Sequence, residues 1–304
     1  MIVVFGSVAV DLVANVPRIP RPGETVLCEG YAVLPGSKGA NQAVAAARAG
    51  SRVVHVATCG NDAFAAAATS ILRSSGVDLA HLRTIDGPTG VCLVAVDPKA
   101  ENTVIAASGA NLETRLEQLE RCVFGAGDTL ILQREIPDHE TLEAVTLAKS
   151  RGARVVLNSA PAGPLPKATL AALDVLIVNE HEAMIVAEGA ALTPSDPEDA
   201  VRRISHDYGC AAIVTLGAQG AVAWRDGERH EIAAPRIVPV DTTGAGDTFV
   251  GAFAAALDQG MAFAMAVRRG VAAGSLSCTR PGAQAGIPSS AEIDALVGDV
   301  GGSR

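Results

Sequence analysis

Residues Asp241–Gly260 read DTTGAGDTFVGAFAAALDQG. The pentapeptide GAGDT at Gly244–Thr248 of this stretch also stands at Gly125–Thr129, within RCVFGAGDTLILQREIP. The residues after each copy separate the two. After Asp247, the residues Phe249, Ala252, Phe253, Ala256 and Leu257 recur at i, i+3, i+4, i+7 and i+8, one face of a helix, and Gly260 is a stop signal. Gly244-Ala245-Gly246-Asp247 therefore predicts a helix N-terminus. The first amides of a helix lack intrahelical partners, and the macrodipole is positive there. Small residues let an anion approach those amides closely. A carboxylate beside such an anion hole suits phosphoryl transfer to a hydroxyl. The amides hold the charge of the transferring group, while Asp247 orients the hydroxyl and finally accepts its proton. The same residues also fit a plain cap in which Asp247 complements the dipole. After Asp128, by contrast, comes Thr-Leu-Ile-Leu-Gln and then Pro137. That predicts a short buried strand entered from a turn, with Gly125 and Gly127 as turn glycines.

Outward from these copies, short Val/Ile/Leu runs alternate with Ala-rich helical stretches. The runs at Ile2–Phe5, Arg52–Thr58, Thr129–Gln133, Arg154–Asn158, Val175–Val178 and Ala212–Leu216 are continuous rather than alternating. That is the pattern of a parallel sheet covered on both faces. Helices are predicted at Ala40–Ala49, Asp62–Ser74, Glu140–Ser150, Glu180–Glu188 and Asp196–Tyr208. The order predicts an α/β layered fold. Two stretches break the rhythm. Val13–Leu34 is rich in Pro and Gly, and Gly90–Ala107 reads as a hairpin around Asp97-Pro98. Long connections of this kind usually cover a site, so a small separate sheet acting as a lid is expected from them. The tail Gly298–Arg304 is expected to fray.

Composition narrows the function. The 304 residues carry 24 Lys+Arg against 33 Asp+Glu, a formal net charge of -9, which argues against a general nucleic-acid binder. Aromatics are only 3%, so Ala, Val, Leu and Gly must build the interior. The cysteines are scattered, with no CxxC pair, and predict a reduced cytoplasmic protein rather than a disulfide scaffold. Asp11 interrupts the apolar opening run, which lacks the basic start of a signal peptide, and no run is long enough to cross a bilayer. The P-loop G-x-x-x-x-G-K-[ST], a G-x-G-x-x-G after the first strand and H-E-x-x-H are all missing. An NAD-dependent dehydrogenase is thereby unsupported, and no histidine pair has zinc-ligand spacing.

DTTGAGD (Asp241–Asp247) resembles the C-terminal signature of the ribokinase family of sugar kinases, the phosphofructokinase-B type. Further matches run in family order along nearly the whole chain. They are GSVAVD (Gly6–Asp11), RPGETV (Arg21–Val26), PGSKGANQAVAAARAG (Pro35–Gly50), LQREIP (Leu132–Pro137), NEHE (Asn179–Glu182), TLGAQG (Thr215–Gly220) and CTRPGAQAGIP (Cys278–Pro288). The resemblance implies a ribokinase-like three-layer α/β/α domain spanning residues 1–304, with a mostly parallel central sheet and a small β-sheet lid formed by about residues 13–34 and 90–107. It also implies ATP-dependent phosphorylation of the primary hydroxyl of D-ribose. By resemblance Asp247 is the catalytic base, and Gly244, Ala245 and Gly246 supply the anion-hole amides. Asp11, Ser37, Lys38, Asn41 and Glu135 fall on the sugar-binding positions. Asp11 also fits a turn residue, Asn41 a helix-start residue and Glu135 a solvated charge. Asn179, Thr215, Gly217, Gly220 and Gly246 match the ATP site, and Glu182 matches a position that reaches Mg²⁺ through water. Asn179 and Glu182 equally fit a capping arrangement.

The resemblance further implies a monovalent-cation site. Asp241 would give a side-chain oxygen, and Thr243, Ser277, Arg280, Gly282 and Gly286 would give carbonyls to K⁺. A homodimer through the lid belongs to the same implication. Two departures concern the sugar. Ala9 stands where some family members carry a sugar-contacting Asn, and Ser37 replaces the second glycine of the usual G-G-K-G turn. Another pentose, a ketohexose or a nucleoside therefore remains an alternative acceptor. A catalytically silent ligand-binding protein on the same fold is the alternative from another class.

Overall fold

The computed structural model describes residues 1–99 and 101–301. The chain runs β1 (Ile2–Phe5), β2 (Ala9–Asn15), β3 (Ala32–Gly36), α1 (Lys38–Arg48), β4 (Val53–Gly60), α2 (Ala65–Ser74), β5 (Leu82–Ile85), β6 (Gly90–Val96) and β7 (Asn102–Ala107). It continues with α3 (Leu116–Glu120), β8 (Thr129–Leu132), α4 (Asp138–Ser150), β9 (Arg154–Asn158), α5 (Lys167–Ala172), β10 (Val175–Asn179), α6 (Glu180–Gly189) and α7 (Pro197–Tyr208). The last third holds β11 (Ala211–Thr215), β12 (Ala221–Arg225), β13 (Glu228–Ile232), α8 (Ala245–Asp258), α9 (Phe263–Ser277) and α10 (Ser290–Gly301).

A nine-stranded sheet in the order β13-β12-β11-β10-β9-β8-β1-β4-β5 forms the central layer. It is parallel except where β12 pairs with β11 and β13 with β12. Its strands are apolar on both faces because both faces are covered. Alternation along β1 shows the division. Ile2 and Val4 join the core beneath α1, α2, α8, α9 and α10, while Val3 and Phe5 join the core beneath α3 to α7. The expected three-layer α/β/α architecture is thus present.

Small residues let the first of these helical layers close up. At Gly251 on α8 an added Cβ would lie 2.5 Å from the Cβ of Ala45 and 2.6 Å from the carbonyl of Gln42, both on α1. At Gly270 on α9 it would lie 2.9 Å from the ring of Phe249. The few aromatics sit at the centre. Phe253 is fully buried and meets Phe263 edge-on, with centroids 5.8 Å apart. Truncating a buried Phe of this kind costs about 3–5 kcal/mol.

The second sheet has the order β3-β2-β6-β7. Its limits differ from the expected ones. Its first strand starts at Ala9 and includes Asp11, and β3 runs on to Gly36, while no strand occupies residues 16–31. The Pro- and Gly-rich composition of that segment marks the loop, not the strands on either side of it. The hairpin β6–β7 lies where expected. Several other boundaries shift by one to three residues. Helix α2 starts at Ala65, because Asp62 receives the amide of Thr89 at 2.9 Å and its hydroxyl at 2.7 Å and so belongs to the loop. Strand β8 stops at Leu132, and Gln133, just past it, donates its side-chain amide to Gln42. The expectation of a frayed tail lies outside the described residues from 302 onward, and 298–301 belong to α10.

Candidate active site

The parallel strands all point their carboxyl ends at one edge of the sheet, where ligands of open α/β sheets bind. The sequence turns polar there. Ser7 follows β1, Gln133 and Glu135 follow β8, Asn158 ends β9, Asn179 ends β10 and Thr215 ends β11. Helix α8 begins at the same edge and carries Asp247 in its first turn.

Asp247 is buried. Its Oδ2 accepts from Asn41 Nδ2 at 2.9 Å, and its Oδ1 accepts from Gln42 Nε2 at 2.9 Å. Asn41 is equally buried, and its Oδ1 has no partner among the described residues. The expected helix start is therefore present, but Asp247 is not merely a cap. Its side chain is drawn across to α1.

Beside it lies a cluster of charges. Asp11 projects from β2, in register with Cys92 of β6 and Leu34 of β3. Burial raises the Asp11 carboxyl to about 6; the Cys92 thiol opposes this by hydrogen bonding, and the charges of Glu135 and Asp247 add to it. Gly36 permits the close approach, since a Cβ there would lie 2.4 Å from the Asp11 carboxylate. The Lys38 ammonium is held above its ordinary range chiefly by Asp247, against burial, with Glu135 and Glu182 contributing. Glu135 Oε2 accepts from Ser7 Oγ at 2.6 Å and from the Lys38 amide at 2.9 Å. It is therefore tied to the start of α1, not the solvated charge the sequence also allowed. Ser37 has φ 81 and ψ 148, a conformation natural to glycine that costs a residue with a side chain about 1–3 kcal/mol. Its Oγ is buried without a partner among the described residues.

Gly244 takes φ 74 before α8, and a Cβ there would touch that of Ala283 at 3.0 Å. Its carbonyl receives both the amide (2.8 Å) and the hydroxyl (2.9 Å) of Thr248. The Ala245 amide reaches the Thr242 carbonyl at only 3.3 Å. Among the described residues the amides of Gly246 and Asp247 meet no acceptor, and a Cβ on Gly246 would stand in open space. This is an open, electropositive helix end. It gives onto a cleft of about 660 Å³ lined by Thr215, Gly217, Gly220, Ala245, Gly246, Phe249 and the facing Gly270 and Gly274. Arg236, Ile237 and Pro239 line it as well. Gly220 has φ 103, and a Cβ there would collide with the Ile232 carbonyl at 2.0 Å, so the turn behind the cleft requires glycine. A buried carboxylate thus stands between a charged polar cluster and an apolar slot, next to free helix amides.

The model of the pfkB family carbohydrate kinases matches residues 1–290. The chain belongs to the pfkB family of carbohydrate kinases. It is 37% identical to a ribokinase of Haemophilus influenzae over 295 residues, covering 95% of each chain. Among solved structures it resembles Thermotoga maritima ribokinase, with TM-score 0.88, 33% identity and 98% and 99% of the two chains covered. It also resembles Arabidopsis thaliana ribokinase complexed with ribose and ATP, with TM-score 0.86, 31% identity and 97% and 98% covered.

The remaining predicted residues of this pfkB chain fall into two groups. Asn179 and Glu182 make the reciprocal capping box of α6. Asn179 Oδ1 accepts from the Glu182 amide at 2.8 Å, and Glu182 Oε2 accepts from the Asn179 amide at 2.8 Å. Asn179 stands in register with Thr215 on the neighbouring strand but is not among the cleft-lining residues. Glu182 is buried, and burial raises its carboxyl, opposed by the Asn179 amide and the Lys38 charge. In the second group, Asp241 Oδ1 accepts from the Thr243 amide at 2.9 Å and its Oδ2 from the Gly282 amide at 2.8 Å. Burial pushes this carboxyl up, but those donors outweigh it and hold it below its ordinary value. The carbonyls of Ser277, Gly282 and Arg280 converge on Gly286, where a Cβ would lie 2.9, 3.0 and 3.2 Å from them. The Arg280 guanidinium turns away to Glu292.

The sequence does not single out Gln42, Asn158 and Gln133, all buried around Asp247, or the apolar cleft walls on α9. GANQA reads as a turn and helix start, but nothing local to it says that adjacent Asn41 and Gln42 reach one carboxylate.

Proposed function

We propose that the chain transfers the terminal phosphoryl group of ATP to the primary hydroxyl of D-ribose, giving D-ribose 5-phosphate. The observation that carries this reading is Asp247, buried and oriented from α1, at the junction of the polar cluster and the cleft. The acceptor sugar lies among Asp11, Ser37, Lys38, Asn41 and Glu135, whose carboxylates and amide bond vicinal hydroxyls. The orphaned Asn41 Oδ1 and Ser37 Oγ are acceptors in want of donors, which sugar hydroxyls provide. ATP occupies the cleft lined by Thr215, Gly217 and Gly220, and its phosphates approach Gly244, Ala245 and Gly246. Asp247 aligns the hydroxyl and takes its proton late in a loose transition state, and the amides hold the transferring charge.

Glu182, with one oxygen committed to its cap and the Lys38 charge nearby, would hold Mg²⁺ through water, with Asn179 beside it. Mg²⁺ supplies neutralisation of the phosphate charge when bound. The converging carbonyls of Ser277, Arg280 and Gly282 around Gly286, with Asp241 and Thr243 behind the anion hole, fit a monovalent cation of K⁺ type. That ion would stiffen the loop whose Ala283 packs on Gly244.

The small sheet acts as the lid, since it carries Asp11 and Cys92 on one face. On the opposite face Val33, Leu93 and Ile105 line up in register, 38%, 47% and 64% exposed. That apolar stripe suits a second copy of the chain, and light scattering at micromolar concentration showing a monomer would dismiss the homodimer. Among the described residues no helix is long and apolar enough to cross a membrane. The six free thiols and the use of ATP suit the cytoplasm.

The test is an ADP-release assay over pentoses, hexoses and nucleosides, with and without K⁺. D-ribose is the expected best acceptor, and K⁺ is expected to stimulate. A stronger nucleoside preference would overturn the sugar, and no turnover on any acceptor would favour a silent binder.

A further inference from the structure

We propose that Gln42 is a positioning residue for the phosphoryl transfer, the working end of a buried amide chain that aims Asp247. The inference rests on reading Asp247 as the base. The chain is continuous. Gln133 Nε2 donates to Gln42 Oε1 at 2.7 Å. Gln42 Nε2 donates to Asp247 Oδ1 at 2.9 Å and to Asn158 Oδ1 at 3.0 Å. Asn158 Nδ2 donates to the Ile177 carbonyl at 3.1 Å.

Its polarity is fixed at both ends. A carboxylate and a backbone carbonyl can only accept, so Gln42 must present its NH₂ to Asp247 and Asn158 must present its NH₂ to Ile177. Each amide between them is then forced to face one way. The Gln133 Oε1 left over points at Gly6, where a Cβ would lie 2.0 Å from it, and has no partner among the described residues. Gln42 and Gln133 are both fully buried, out of contact with bulk solvent. The amides come from the ends of β8 and β9 and from α1, and Ile177 is in β10. The chain therefore ties the side chain of α8 to the rigid middle of the sheet. Asn41, on the other oxygen, has a buried acceptor without a partner among the described residues and so no such anchor. Of the two donors to Asp247, Gln42 is the one that cannot swing.

The charged groups whose fields reach Asp247 are Lys38 from α1, Asp11 from β2 and Glu182 from α6. None of them changes in the variants that test the role of Gln42.

Gln42→Leu removes the donor. Gln42→Glu keeps the shape and still accepts from Gln133, but faces Asp247 with an acceptor. Both are expected to lose about 100-fold or more in kcat at about pH 8, with KM for ATP changed by less than about threefold and D-ribose binding retained by calorimetry. In Gln42→Glu, kcat should recover as pH falls from about 8 to about 6, beyond any change in the wild type, because the new carboxyl, once protonated, donates to Asp247 again. Gln42→Leu should show no such recovery. Asn158→Leu, which cuts the anchor but leaves the donor, should lose kcat by a smaller factor, about tenfold. Near wild-type kcat in either Gln42 variant overturns the proposal. So does a loss of D-ribose binding and melting temperature that parallels the loss of rate, since packing alone would then explain it. Asp247→Asn separates the two readings. If it retains turnover, the base assignment itself fails, whereas if it is inactive while the Gln42 variants are active, only the role of Gln42 falls.

Discussion

The two GAGDT copies are the same peptide in opposite employment. At Gly125–Thr129 the aspartate folds back on its own turn. Asp128 Oδ2 accepts from the Gly125 amide at 2.9 Å, and the Asp128 amide donates to the Gly125 carbonyl at 2.9 Å. Gly127 supplies the φ of 88 that closes it, and β8 comes next. At Gly244–Thr248 the positive φ falls on the first glycine instead, and the chain winds into α8. Asp247 is then free of its own backbone and reaches α1. The copies also sit at opposite edges of the sheet. Asp128 precedes β8, whose far end leads to Gln133 and Glu135. The nitrogen of Met1 lies 3.1 Å from Asp128 and 2.6 Å from Asp258, the last residue of the helix that Asp247 opens. At 1.5 Å per residue Asp247 and Asp258 stand about 16 Å apart along α8. A shared pentapeptide thus fixes neither conformation nor role. The residues after it decide both, through what they bury.

Breaking that contrast is most direct at the carboxylates. Asp247→Asn should lower kcat by about 10³-fold or more while D-ribose still binds, because the amide cannot accept the proton and sets an NH₂ against a donor from Asn41 or Gln42. Retained turnover in a coupled assay would remove Asp247 from its role.

The next effect sharpens the difference in charge environment between the edges. Asp11, raised to about 6 by burial before any other cause, is ionised at pH 8 and protonated well below 6. KM for D-ribose should therefore rise as pH falls through about 6, by about tenfold for one carboxylate contact weakened. The stability sign is opposite. A carboxyl with a raised folded-state pKa contributes stability that is fully present below its ordinary 3.8 and lost as pH rises through about 6. Asp11→Asn should thus raise the melting temperature at pH 8, and this gain should vanish near pH 4. An unchanged KM across that range would mean that Asp11 does not touch the sugar.

The smallest effect belongs to the other copy. Asp128→Asn should leave kcat within about twofold and cost about 1 kcal/mol, seen as a drop of a few degrees in melting temperature. A loss of rate comparable to that of Asp247→Asn would assign the chemistry to the wrong pentapeptide.

Much of this was legible along the chain because the signals are local. The apolar face from Phe249 to Leu257, the runs at Ile2–Phe5 and Arg154–Asn158, and the open helix start at Gly244 each lie within one element. The capping box of Asn179 and Glu182 was legible as a cap, and it is one. What escaped is tertiary. β2 begins at Ala9 because Ala9, Asp11 and Val13 pair with both β3 and β6, a fact no composition of residues 16–31 carries. Helix α9 went unread because Gly270 and Gly274 interrupt its apolar pattern. They are small for the sake of Phe249 and the Ala245 carbonyl, not for the sake of a turn. Gln42, Gln133 and Asn158 look like ordinary polar residues until four elements bring them together.

The glycine at position 251 bears on all of this at a distance. It lies one helical turn beyond Asp247 and presses the α8 backbone onto Ala45 and the Gln42 carbonyl. The gap across which Gln42 meets the carboxylate is therefore gauged by a residue that has no side chain and touches no ligand. Selection for turnover would register at that position as sharply as in the pocket, and a search confined to whatever contacts the reactants would pass it by.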